Sequence, residues 1–84
     1  MAKILIIDDE KSIRKSLREI LEFEKYKVEE AEDGLAGLAM ASAENYDLIL
    51  CDIKMPKLDG MELLNKLNEQ EIDSPIVMMS GHGN

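Results

Sequence analysis

The feature that most constrains this chain is its rhythm. Four short apolar runs, at residues 3–7, 26–31, 47–51 and 76–79, alternate with three longer segments whose apolar residues recur at helical spacing. The first run, Lys3-Ile4-Leu5-Ile6-Ile7, is β-branched and continuous, which predicts a strand buried on both faces. The run at 26–31 is less regular, with Val28 and Ala31 as its apolar positions, and the one at 47–51 is the clearest of the four. Residues 11–24 place Ile13, Leu17, Ile20 and Leu21 on one side of a helix. Residues 35–44 predict a second helix with a close-packing alanine face. Gly37 inside it, at about 1 kcal/mol less helical than alanine, is compatible with tight contact against a neighbour. Pro56 and Gly60 mark 54–60 as a loop, and Asp59 followed by Glu62 has the spacing of a capping box. A helix over 61–69 then presents Leu63, Leu64 and Leu67, and Ser74-Pro75 opens the last strand. Strands joined through helices cannot form hairpins. They run parallel, with right-handed crossovers, so the expected architecture is an open α/β sheet.

Composition narrows the function classes. With 45% hydrophobic and 33% charged residues in 84, the chain belongs with globular domains. No apolar run approaches membrane-spanning length, and the opening apolar stretch is short and runs into acidic residues, so a signal peptide is not expected. Ten basic residues against eighteen acidic ones give a net charge of -8, a field that repels phosphate. Nucleic acid and anionic membrane are therefore poor partners, and DNA is expected only through a separate output domain. The one cysteine, Cys51, lies within an apolar strand and reads as a buried thiol, which fits a reducing, cytoplasmic setting. His82, alone in a polar loop, carries no assigned chemistry.

The chemistry concentrates in carboxylates. Asp8 and Asp9 close the first strand and Asp52 closes the third. Ligands of open α/β sheets bind beyond the carboxyl ends of the strands. If the two strands are neighbours, three carboxylates share one pocket and raise each other's pKa unless a cation compensates. Such oxygens suit Mg²⁺, and the backbone carbonyl of Lys54 could add another. A carboxylate beside a bound cation is a candidate nucleophile for phosphoryl transfer, and Ser80, closing the fourth strand, could bond a phosphoryl oxygen. The competing reading is structural: Asp8 and Asp9 cap the following helix, and Asp52 caps a turn.

These residues carry a resemblance. Asp8-Asp9, then Leu50-Cys51-Asp52-Ile53-Lys54-Met55-Pro56, then Asp59-Gly60 and Ser80, resemble the receiver domain of two-component response regulators. The resemblance implies a flavodoxin-like fold with strand order 2-1-3-4-5. It implies Asp52 as phosphoacceptor, and a Mg²⁺ site of Asp8, Asp9, Asp52 and the Lys54 carbonyl. Ser80 becomes the switch hydroxyl, and a sensor histidine kinase the phosphoryl donor. Residues 79–84 are similar to receivers of the NtrC/NtrX type, which implies control of sigma-54 transcription.

The family pattern also has a lysine and an aromatic residue on a fifth strand, and no lysine here takes that place. Residues 1–84 are thus expected to be a partial receiver lacking the last helix-strand-helix. The apolar fourth strand is expected to promote self-association through its edge. Two other functions compete: a metal-dependent phosphohydrolase, which would need an added acid–base group and a substrate cap, and a non-catalytic association module.

Overall fold

A computed structural model describes residues 1–79 of the chain. Its elements follow in the order β1 (Lys3–Ile7), α1 (Lys11–Phe23), β2 (Lys27–Ala31), α2 (Gly34–Ala43), β3 (Leu48–Asp52), α3 (Gly60–Glu69) and β4 (Ile76–Met79). The described strands form one sheet in the order β2-β1-β3-β4, and every neighbouring pair is parallel. Both expectations, the open parallel sheet and the placement of β1 between β2 and β3, hold.

Why β1 reads as a continuous apolar run is plain from its two faces. Side chains alternate along a strand, so β1 sends Leu5 and Ile7 one way and Ile4 and Ile6 the other. Leu5 and Ile7 join Ile49, Cys51, Ala41, Leu63 and Leu67 in the larger core, under α2 and α3. Ile4, Ile6 and Val28 form a smaller cluster with Leu17 and Leu21 of α1 and with Leu48 and Leu50. Gly37 has a tight neighbour: a Cβ there would lie 2.5 Å from Cδ1 of Ile7, so its absence lets α2 settle onto the sheet.

One residue of the α1 stripe falls outside it. Leu17 and Leu21 pack on the sheet, but Ile20 is 62% exposed, and α1 buries no residue fully. At about 100° per residue Ile20 lies at the margin of the stripe opposite Leu21, where a single covering helix leaves it in solvent. The predicted capping box at α3 is present. Asp59 Oδ1 accepts from Glu62 N–H at 2.9 Å, and Glu62 Oε1 accepts from Asp59 N–H at 3.1 Å.

Helices α1 and α3 both end on a left-handed residue that is not glycine, Lys25 (φ 73°) and Glu71 (φ 57°). Their amides bond back to Glu22 and Asn68, while those of Tyr26 and Ile72 reach Leu21 and Leu67. This is the Schellman pattern, which satisfies carbonyls the helix ends would leave open.

Candidate acidic metal site

Register builds this site. Ile7 of β1 pairs with Cys51 of β3, so the next residues along the two parallel strands, Asp8 and Asp52, emerge together at the carboxyl end of the sheet. Asp52 is the last residue of β3, and Asp8 and Asp9 follow β1 directly. One carboxylate oxygen from each of Asp8, Asp9 and Asp52 lies within 4.8 Å of the others. Asp8 and Asp52 are each only 3% exposed, whereas Asp9 faces solvent. The cluster is thus a buried pair with one accessible member.

The backbone under Asp8 is firmly held. Its N–H donates to Ala31 O at 3.1 Å, extending the β1–β2 ladder by one residue. Its carbonyl accepts from Arg14 Nη1 at 2.8 Å, and Arg14 Nε donates to Glu30 Oε1 at 2.9 Å. Asp8 Oδ1 accepts from the Glu10 N–H at 2.9 Å, a local turn. The N-cap of α1 is Glu10, with no side-chain capping bond, so neither Asp8 nor Asp9 occupies the capping position.

Electrostatics at this end are repulsive. Burial pushes the Asp8 carboxyl above the usual carboxylate range, and the negative charges of Asp52, Asp9 and Glu10 push it further, against the lowering effect of the Glu10 N–H. Burial, with Asp52 and Asp8 nearby, likewise pushes the Cys51 thiol up to about 12, which leaves it an inert core residue. Three convergent carboxylate oxygens, two of them buried, fit a hard divalent cation such as Mg²⁺. A cation there would turn the mutual repulsion into attraction.

The remaining predicted residues are less drawn in. Lys54 lies in the loop after β3 with an exposed side chain. Ser80 lies outside the described residues. Gly60 brings α3 hard against the strand end: its N–H donates to Ile53 O at 2.8 Å, and a Cβ on it would lie 2.6 Å from Asp52 O. Asp33 is not among the predicted residues, although an aspartate before a helical pattern is a recognisable cap signal. Asp33 caps α2 by accepting from Ala36 N–H at 2.8 Å. Arg14 and Glu30 are not among the predicted residues either, because they meet only once α1 packs against β2.

Comparison with known proteins agrees with this geometry. The response regulator receiver domain family matches residues 4–84. Over 81 residues the chain is 44% identical to the transcriptional regulatory protein ResD of Bacillus subtilis, covering 96% of this chain and 33% of ResD. The chain spans about a third of the length of the curated relatives it matches. Among solved structures, TrrA of Thermotoga maritima in complex with Mg²⁺-BeF superposes with a TM-score of 0.88 at 36% identity, over 98% of this chain and 73% of that one. A complex of histidine kinase ThkA with TrrA matches with a TM-score of 0.90 at 34% identity, over all of this chain and 72% of that one. These similarities point to receivers in general and not to the NtrC/NtrX type. Among the described residues, no helix is long and apolar enough to cross a membrane.

Proposed function

The chain belongs to the response regulator receiver domain family, and from that membership we propose that it is a phosphoacceptor module of a two-component phosphorelay, with Asp52 as the acceptor. Residues 1–84 would form part of a receiver whose full chain carries an output domain. The observation that carries this reading is the convergence of Asp8, Asp9 and Asp52 at one strand end. A carboxylate oxygen of Asp52 attacks the phosphorus of a kinase phosphohistidine. The new O–P bond forms as the N–P bond breaks, and the imidazole leaves with the electron pair of that bond. Asp8, Asp9, Asp52 and the Lys54 carbonyl would hold Mg²⁺, which would neutralise charge on the phosphoryl oxygens. Ser80 would bond one of those oxygens.

A sensor histidine kinase is the partner that the ThkA–TrrA complex supports by likeness. The name of ResD supports a transcriptional output, with DNA contacted by a separate domain. A sigma-54 output of NtrC/NtrX type rests on residues 79–84 alone. A cytoplasmic setting suits the buried, unbridged Cys51. Self-association through the β4 edge is supported by Val77, which is 49% exposed on that strand; sedimentation equilibrium over a concentration range tests it.

The test of the main reading is a titration with Mg²⁺ and then beryllofluoride, followed by backbone NMR on this chain and on Asp52→Asn. Shifts at Asp8, Asp9 and Asp52 that vanish in the variant are expected. Dispersed spectra without such shifts would overturn it.

A further inference from the structure

The loop at residues 53–59 follows directly on Asp52 and carries the Lys54 carbonyl, yet its conformation is one a free loop would avoid. Leu58 N–H donates to Pro56 O at 2.9 Å, closing a three-residue turn around Lys57. Lys57 sits at φ 72°, the strained form of such a turn and an uncommon place for a residue with a side chain. Strain of this kind persists only where the surroundings impose it.

The start of α2 packs directly against it. Gly34 presses its backbone against the loop: a Cβ there would lie 2.0 Å from Leu58 O and 2.8 Å from Leu58 C. Leu58 itself is buried in the larger core. Asp33 uses one carboxylate oxygen to cap α2, and the other accepts from Lys57 Nζ at 3.3 Å. The Ala36 N–H, and then the Lys57 ammonium, hold the Asp33 carboxyl below the usual range. Lys57 is 61% exposed on its side chain, and an ion pair so open to solvent contributes little to stability. Its significance lies in which residue it restrains. At the other end of the loop Gly60 abuts the Asp52 carbonyl.

We propose that Asp33, Gly34 and Lys57 are positioning residues for the acidic site: they hold the 53–59 loop in its strained turn, so that the Lys54 carbonyl keeps one place beside Asp52. This rests on the metal-site reading above and adds to it a set of residues outside the cluster.

The test is a titration of the 84-residue chain with Mg²⁺ alone, read by amide shifts, alongside thermal unfolding. In Lys57→Gly the turn is relaxed and the bridge removed. The expected result is an unfolding midpoint unchanged or raised, with a Mg²⁺ dissociation constant about tenfold higher, as for outer partners of metal sites. Removing a cation from an acidic chain would by itself favour Mg²⁺, so weaker binding cannot come from the charge change. Lys57→Arg, which keeps the bridge, should restore affinity, and Asp33→Asn, which keeps the cap, should weaken binding by more than Glu24→Gln, a reference that removes one negative charge from an exposed residue outside the site. Wild-type affinity in both Lys57→Gly and Asp33→Asn overturns the positioning role while the metal site stands. Absence of Mg²⁺-dependent shifts in the wild-type chain overturns the site reading itself, and the positioning role with it.

Discussion

The two ends of the sheet handle charge in opposite ways. At the amino end, Lys3 pairs its ammonium with Glu44 and holds it 5.1 Å from the centroid of the Tyr46 ring. Its amide donates to Asp47 Oδ2 at 2.7 Å, and the Tyr46 hydroxyl donates to Glu29 Oε1 at 2.6 Å. The titration directions agree: the Lys3 pKa is raised and that of Glu44 lowered, each chiefly by bonding to the other. At the carboxyl end, Asp8 is raised by burial and by neighbours of its own sign. One end closes the fold with attraction. The other concentrates like charge, and perturbed carboxyls of this kind cluster at functional sites.

Removing Tyr46 is the strongest way to break the amino end. Tyr46 is 4% exposed, and Tyr46→Ala should cost about 3–5 kcal/mol in denaturant unfolding, as for other buried aromatics. Tyr46→Phe isolates the hydroxyl and should cost about 1 kcal/mol.

The carboxyl end should respond to Mg²⁺ by a gain instead. At roughly a hundred times its dissociation constant the ion should add about 2.7 kcal/mol to unfolding stability. Calorimetry should show that gain in the wild-type chain and none in Asp52→Asn.

A smaller effect sharpens the same contrast without metal. Asp8→Asn keeps an oxygen for the Glu10 N–H and removes a buried charge from the cluster, so metal-free stability at neutral pH should rise by about 1 kcal/mol. The pH dependence follows from the sign. A raised folded-state pKa means protonation of Asp8 favours the fold. Its stabilising contribution is present below the unfolded carboxyl range and lost as pH rises through the folded pKa. The advantage of Asp8→Asn should therefore shrink as pH falls, and a constant difference across the acid range would contradict this account. The smallest change lies at the amino end but outside its charge network. Lys25→Gly, at the left-handed residue after α1, should stabilise by roughly 0.5 kcal/mol, the relief of φ strain less glycine's extra chain entropy.

Much of the fold was legible because its signals are local. The apolar runs and helical stripes placed all the described elements within a residue or two, since burial on one or both faces leaves a short-range period in the chain. The capping box at Asp59 and Glu62 is equally local, and it formed as its spacing implied. Ile20 shows where such reading stops, because a stripe's margin is buried only if some neighbour reaches it.

The candidate site divides along the same line. That Asp8, Asp9 and Asp52 sit at strand ends follows from the sequence alone, since Asp8 and Asp52 each end an apolar run and Asp9 follows Asp8. Their convergence within 4.8 Å required β1 and β3 to be neighbours in register, a fact of pairing between distant segments. The balanced network at the opposite end left no trace in the sequence, because Lys3 and Asp47 are 44 residues apart and share no motif. The grip of Gly34 on Leu58 was equally hidden. The sequence determined which residues are strands, helices and strand-end carboxylates, because those are short-range consequences of apolar spacing. The tertiary structure decided which charges oppose and which compensate, because Coulomb interactions depend on distances that only the assembled sheet sets.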